Sequence, residues 1–145
     1  LAMNIGASKA ADGLIHYKRF EQHYYQPKER LAFKGNTYLV QGGYTFSAAT
    51  MLISALKGQD NMTIVGDESG GGYYGNSALH IPNITLPNTK LRVRLPLYRM
   101  VIDQNRPKGT GIIPDIKIPP SSYAIRMGFD SKMAAIQALL KSKNN

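Results

Sequence analysis

YTFSAATMLISALKG, residues 44–58, places Ser47 between a Gly-Gly strand end and a run of helix formers. After this serine, apolar residues recur at three- and four-residue spacing, which predicts a helix with one apolar face that ends near Gly58. A serine at such a joint can cap the helix through its side-chain oxygen. It can also point its hydroxyl into a cleft as a nucleophile. The pattern alone leaves both interpretations open.

Short apolar segments on either side of this helix predict buried strands. NTYLVQGG (36–43) precedes the helix and MTIVGD (62–67) follows it. The next segment, ESGGGYYGNS (68–77), holds four glycines, which favours a loop with close backbone approach. Residues 78–102 then predict two strands joined near residues 87–89, and their alternation predicts one buried face formed by Leu91, Val93, Leu95 and Leu97.

The two ends of the chain give weaker patterns. Residues 5–20 predict a helix broken at Gly13, followed by a loop around Pro27. GTGIIPDIKIPPS (109–121) predicts a turn and a short strand, and residues 129–143 predict a helix capped by Asp130. We therefore expect an α/β fold and a single domain over residues 1–145. Its expected parts are an N-terminal helix and loop (1–35), a core (36–120) and a C-terminal helix (121–145).

Composition limits the classes of function. The chain has no cysteine, which excludes disulfides, thiolate chemistry and thiolate zinc sites, and nothing in it predicts a cofactor or metal. No apolar run approaches the roughly 20 residues that cross a bilayer, so no membrane insertion is predicted for this segment. The net charge of +9 is scattered along the chain without interleaved stacking aromatics, which argues against nucleic acid. The basic residues then form either a solvated sheet face or a surface that attracts acidic groups such as a peptide carboxylate.

Three motifs resemble one family of serine proteases. They are the S-A-A helix start at Ser47, V-G-D-E-S-G-G at 65–71 and G-I-I-P-D at 111–115. In this order and spacing they resemble the second half of the catalytic domain of carboxyl-terminal processing (tail-specific) proteases, over about residues 36–120. The glycine-rich loop is most similar to the branch that includes the tricorn protease core and interphotoreceptor retinoid-binding protein. The resemblance implies a ClpP/crotonase-like domain of β-β-α units, here a partial domain.

The resemblance also implies an activity and its site. It makes Ser47 the nucleophile of peptide-bond hydrolysis through an acyl-enzyme, with the Ala48 amide as one oxyanion donor and a polypeptide as substrate. It implies an extracytoplasmic setting, the bacterial periplasm or cell envelope. An upstream glycine-rich segment normally supplies a second oxyanion donor, and residues 1–12 do not resemble it.

The chain departs from the family pattern at the general base. Many members carry a lysine where this chain has Gly72, and the tricorn-like branch uses a histidine from the N-terminal half of the domain. An acidic residue expected near 108–110 is also replaced, by Lys-Gly-Thr. We therefore expect the base to come from residues upstream of this chain. The 145-residue chain alone is then expected to have little or no peptidase activity.

The other titratable residues could act in catalysis or could have purely structural roles. The histidines that could act as a base are His16, His23 and His80, the last on a predicted strand. Among the carboxylates, Asp67 and Glu68 are expected to order the glycine-rich loop. Asp115 is expected to form a turn or to make structural hydrogen bonds, and Asp103 is expected to form a turn. NSALHIPN (76–83) is the predicted edge strand for pairing with an extended peptide.

The sequence also bears on three functions other than peptide hydrolysis. A phosphate cradle at residues 70–72 is rejected, because no G-K-[ST] follows the glycines. A non-catalytic module of the same fold, binding a peptide or an apolar ligand, remains the main alternative. A crotonase-like acyl-CoA enzyme shares the fold, but no feature of the sequence requires CoA.

Overall fold

The computed structural model describes residues 6–17, 21, 26 and 28–143. The chain separates into two units, Leu1–Lys34 and Gly35–Asn145. The strands are β1 (Ala7–Lys9), β2 (Ile15–Tyr17), β3 (Thr37–Gln41), β4 (Met62–Gly66), β5 (Gly75–Asn76), β6 (Asn83–Thr85), β7 (Arg92–Arg94), β8 (Met100–Val101) and β9 (Ile116–Lys117). The α-helices are α1 (Ser47–Leu56), α2 (Ser122–Arg126) and α3 (Ser131–Lys143). A short 3₁₀ helix covers Glu29–Leu31.

The first unit contains an antiparallel hairpin where the sequence predicted a helix. β1 pairs with β2, so the helix predicted over residues 5–20 is wrong for the residues described there. The cause is the Asp12-Gly13 pair: Gly13 has a φ of 79° and Asp12 Oδ1 accepts the Leu14 amide at 2.9 Å. Asp-Gly is a strong turn signal between strands, and it prevails over the weak helical pattern.

A three-stranded parallel sheet, in the order β3-β4-β9, forms the centre of the second unit. β3 and β4 run in register from Thr37 opposite Met62 to Gln41 opposite Gly66, and α1 connects them. The predicted strands and the connecting helix are confirmed, including a helix end just before Gly58, whose φ is 91°. A parallel pair needs such a crossover, so the start of α1 lies at the carboxyl edge of the sheet.

The core lies between α1 and the sheet. Ile53 of α1 packs with Ile64 of β4, Tyr73 and Ile112, and Leu39 of β3 packs against this cluster. Val65 alternates with Ile64 and is also fully buried, so β4 is covered on both faces. Among the described elements α3 contacts β4 and contributes the buried Ile136.

The strand pair β6–β7 is present, but its apolar face is not buried. Ile84 pairs with Val93, and both are 41% exposed. The residues expected on a buried face are likewise exposed: Leu91, Val93, Leu95 and Leu97. That expectation is wrong for this structure, because alternation predicts which side chains share a face and not whether another element covers it.

The predicted edge strand NSALHIPN is also largely absent. Only its ends are extended, Asn76 in β5 and Asn83 in β6. Asn76 Oδ1 accepts the Ala78 amide at 3.0 Å, which turns the chain, and Pro82 has no amide hydrogen to donate. The carbonyls of His80 and Pro82 still accept hydrogen bonds from Leu97 and Leu95, both at 3.1 Å.

The C-terminal helix α3 follows the sequence prediction closely. Asp130 Oδ1 accepts the amides of Lys132 at 3.0 Å and Met133 at 3.1 Å, so it caps the helix as expected. The short helix α2 is capped in the same way by Ser121, whose hydroxyl accepts the Ala124 amide. Within the described residues, no helix has both the length and the hydropathy needed to span a bilayer.

Asp115 connects α1 to the sheet. Its Oδ1 lies 2.6 Å from Lys57 Nζ, and its Oδ2 accepts the Ile64 amide at 2.8 Å. Burial raises the pKa of this carboxyl, but the hydrogen bonds from Lys57 and Ile64 outweigh it, so the net pKa lies below the ordinary 3.8. The predicted structural role of Asp115 is confirmed.

We expect Asp115→Ala to lower the free energy of unfolding by about 1 kcal/mol at pH 7, since the ion pair with Lys57 is partly exposed and the Ile64 amide loses the carboxylate that accepts its hydrogen bond. The lowered pKa means that the stabilisation is present above about pH 4 and is lost as the pH falls through the folded-state value. Urea unfolding at pH 7 and pH 3 measures both effects. Asp60→Ala, at an exposed aspartate, is the control; equal losses in the two variants would contradict the expectation.

Candidate active site

Ser47 lies where the sequence predicted, at the joint between the sheet and α1. It is the first residue of α1, six residues after Gln41 ends β3. Because β3 and β4 are parallel, this helix start lies at the same edge of the sheet as the glycine-rich loop that follows β4. The topology therefore brings two of the motifs singled out in the sequence to one edge.

The backbone of Ser47 is in the left-handed region, with a φ of 51°. A residue with a Cβ occupies this region at a cost of about 1 kcal/mol or more, and such conformations concentrate at functional sites. In hydrolases whose nucleophile sits on a sharp strand-to-helix turn, the same kind of strain exposes the serine oxygen. Ser47 has this backbone feature although its flanking residues, TFSAA, do not match G-x-S-x-G.

The Ser47 side chain is exposed and hydrogen-bonds to none of the described residues. The residue at the helix cap is Phe46, which is extended with φ −130° and ψ 166°. The structure therefore does not use the serine oxygen as a cap. Its hydroxyl is available to an incoming group.

The amide of Ala48 lies beside this hydroxyl in the first turn of α1. The Ala49 amide is satisfied by the Phe46 carbonyl at 3.1 Å, whereas the Ala48 amide has no acceptor among the described residues. First-turn amides carry the positive end of the helix dipole. An unsatisfied amide at this position can hold a developing negative charge.

The turn that leads into Ser47 is fixed by hydrogen bonds through Thr45. The Thr45 amide donates to the Gly42 carbonyl at 2.8 Å, and Thr45 Oγ1 accepts the Gly42 amide at 3.1 Å. The Thr45 carbonyl accepts from Thr50 Oγ1 at 3.1 Å and from the Gly71 amide at 2.8 Å. The turn is thus tied both to its own helix and to the glycine-rich loop.

The glycines of the loop allow it to pack directly on this turn. A Cβ on Gly70 would lie 2.1 Å from the Gly43 carbonyl oxygen, and one on Gly71 would lie 2.2 Å from Thr50 Oγ1. The first contact is with backbone and the second with the Thr50 side chain, so neither glycine can be replaced by a larger residue without a local shift. At Gly72 a Cβ would lie 2.8 Å from the Gly75 carbonyl, so a lysine at this position also requires a shift.

Two side chains hold the glycine-rich loop against residues 111–112, which precede β9. Glu68 Oε1 accepts the Gly111 amide at 2.7 Å. Ser69 Oγ accepts the Ile112 amide at 2.7 Å and donates to the Gly71 carbonyl at 2.9 Å. The loop-ordering role predicted for Glu68 is confirmed. The structure also explains the second and third motifs, since residues of V-G-D-E-S-G-G bind residues of G-I-I-P-D.

Two of the remaining candidate residues, His16 and Asp103, make contacts of their own. In the first unit, His16 lies between Asp12 (2.9 Å) and Glu21 (3.0 Å), and these hydrogen bonds raise the pKa of its imidazole. His23 lies outside the described residues. His80 is exposed, and Asp103 forms the predicted turn by accepting the Asn105 amide at 2.9 Å. Among the described residues of the second unit, no histidine, lysine or carboxylate hydrogen-bonds to Ser47.

A cavity of about 480 Å³ opens at the same edge of the sheet. Its walls are Val40 to Thr45 together with Asp67, Pro120 and Lys132. The walls stop two residues before Ser47, so the cavity adjoins the turn and does not contain Ser47. The sequence indicated Asp67 as part of this region, but it gave no sign of Lys132, because only the packing of α3 brings that residue here.

The comparison with family models agrees with the motifs. The model described as Peptidase family S41 matches residues 2–118. The match begins upstream of residue 36, where the motif resemblance starts, so it includes the N-terminal segment. Among the curated proteins compared, none matches the chain. Since the family model covers most of the sequence, the chain belongs to peptidase family S41.

Proposed function

We propose that this chain carries the nucleophile of a serine-type endopeptidase, and that Ser47 forms the acyl-enzyme. The observation that carries the proposal is the strained, exposed Ser47, whose hydroxyl has no partner among the described residues. The neighbouring Ala48 amide is the proposed oxyanion donor, since it has no acceptor among those residues either. Membership in a peptidase family supplies the reaction class.

In the proposed reaction, Ser47 Oγ attacks the carbonyl carbon of the scissile peptide. A general base takes the hydroxyl proton, and the same group then protonates the departing amine. Water afterwards hydrolyses the ester and regenerates the serine. A donor such as the Ala48 amide contributes about 3 kcal/mol to the stability of the tetrahedral intermediate.

The base and the second oxyanion donor are proposed to come from outside this chain. This fits the absence, among the described residues of the second unit, of any titratable group hydrogen-bonded to Ser47. We therefore expect the 145-residue chain by itself to have little peptidase activity. We further propose a partial ClpP/crotonase-like domain of a tail-specific protease, of the tricorn-like branch, that acts on polypeptides in the bacterial periplasm or cell envelope.

Labelling with a fluorophosphonate tests the nucleophile in the intact protein. We expect one covalent adduct, on the peptide that contains Ser47, identified by mass spectrometry. Ser47→Ala should abolish the adduct. Ser122→Ala is the matched control, because Ser122 is also an exposed first residue of a helix and its loss should leave the label in place. An intact, folded protein that leaves Ser47 unmodified would contradict the proposal.

The alternative is a non-catalytic module of the same family that binds a peptide or an apolar ligand. Gly72, at the position where many members carry a lysine, is the observation that favours it. A non-catalytic module is expected to bind its ligand without labelling of Ser47. The fluorophosphonate experiment therefore distinguishes the binding module from the peptidase.

A further inference from the structure

Lys132 places an ammonium group at the cavity beside the Ser47 turn. The residue is half-buried in the first turn of α3 and lines the cavity together with Asp67. Its Nζ lies close to Gly42, so close that a Cβ built on that glycine would be 2.8 Å from it. The glycine therefore makes room for the lysine head group at the carboxyl end of β3.

No anion neutralises this ammonium among the described residues. Asp67 shares the cavity, but no ion pair within 4.0 Å joins it to Lys132. Asp130 is the nearest carboxylate in sequence, and its Oδ1 accepts the backbone amides of Lys132 and Met133. The half-buried ammonium therefore has no anion beside it among these residues, which makes the cavity favourable for an anionic group.

The remaining walls suit a polypeptide. Val40, Tyr44 and Pro120 supply apolar surface, and the volume of about 480 Å³ accommodates a large side chain or a chain end. The wall formed by residues 42–45 continues directly into Ser47. A peptide held at the nucleophile would therefore have a neighbouring residue within reach of this cavity.

We propose that this cavity, the Lys132 cavity, is a substrate subsite that binds a carboxylate of the polypeptide. Lys132 is its specificity-determining residue. The carboxylate belongs to an acidic side chain or to the end of the polypeptide, since both present the same group. The inference rests on the proposed function for the identity of the ligand, and the net charge of +9 adds a general attraction for acidic polypeptides.

Binding to the intact Ser47→Ala protein tests the subsite without turnover. The probes are three peptides of one sequence: one with glutamate and an amidated C-terminus, one with glutamine and an amidated C-terminus, and one with glutamine and a free C-terminal carboxylate. We expect at least one carboxylate-bearing peptide to bind about 10-fold more tightly than the uncharged one, measured by calorimetry. Which one does so identifies the source of the carboxylate.

Lys132→Gln should reduce that preference to about one, because only the charge is removed. Lys141→Gln removes an exposed lysine from the same helix and should retain the preference. Equal binding of the three peptides, or an equal loss for all three in Lys132→Gln, would overturn the subsite. Ser47 labelling is independent of this outcome. If Ser47 is labelled but the protein has no preference for carboxylate-bearing peptides, only the subsite is refuted. If the protein has that preference but Ser47 is not labelled, only the role of Ser47 as nucleophile is refuted.

Discussion

Replacing Ser47 with alanine is expected to lower kcat/KM of the intact enzyme on a peptide substrate by on the order of 10⁴-fold or more. The substitution removes the only atom that can form the acyl-enzyme in the proposed reaction, while the Ala48 amide and the glycine-rich loop remain. Peptide binding should therefore change little, and the loss should appear in kcat. Steady-state kinetics on a fluorogenic peptide measures it.

A second substitution at this position separates the hydroxyl from the backbone strain. Ser47→Gly should be as inactive as Ser47→Ala, but it should unfold with a free energy about 1 kcal/mol higher, because glycine adopts a φ of 51° without a Cβ penalty. Urea unfolding of the two variants makes the comparison. If alanine and glycine were equally stable, the left-handed conformation of Ser47 would not be a source of strain. If either variant kept normal turnover, Ser47 would not be the nucleophile.

Gly66→Ala is expected to destabilise the second unit by about 3 kcal/mol or more. Gly66 ends β4 with a φ of 136°, and a Cβ on it would lie 2.0 Å from the carbonyl oxygen of Gln41, its partner in β3. Its own carbonyl accepts the Ile118 amide at 2.6 Å, so the backbone is held from both sides. The strain and the clash cannot be relieved by a side-chain rotation.

Gly43→Ala is the matched control for this prediction. Gly43 lies beyond the end of β3, and no atom lies within 4 Å of a Cβ built on it, so its variant should unfold within about 0.5 kcal/mol of the wild type. Thermal and urea unfolding of the two variants gives the difference. A Gly66 variant as stable as the Gly43 variant would mean that β3 and β4 separate easily at their carboxyl ends.

The sequence predicts the part of the fold where local pattern and burial agree. Two apolar runs, each too short for a helix, flank a segment with three- and four-residue periodicity, and the structure forms β3, α1 and β4 there. The first unit departs from the prediction because the turn chemistry of Asp12-Gly13 prevails over a weak helical spacing. The hairpin loop has three residues, 11–13, and its positive φ falls on Gly13, so one short signal determines the structure there.

Burial and long-range contacts could not be predicted in the same way. The alternation around Val93 correctly indicates a strand. Whether its side chains are exposed depends on whether another element packs over that face, and the periodicity of the sequence carries no information about this. Ser47 could be found because its motif is local. Lys132 could not, since it reaches the site only through the packing of α3, far along the chain.

The carbonyl oxygen of Thr45 has a consequence for how this site responds to change. It receives one hydrogen bond from the helix that begins at Ser47 and one from the loop that follows β4. The position of this one peptide group therefore depends on both the helix and the loop. The group lies two residues before Ser47. Any ligand that displaces the loop by about 1 Å or more must either break one of these bonds or move the serine with it.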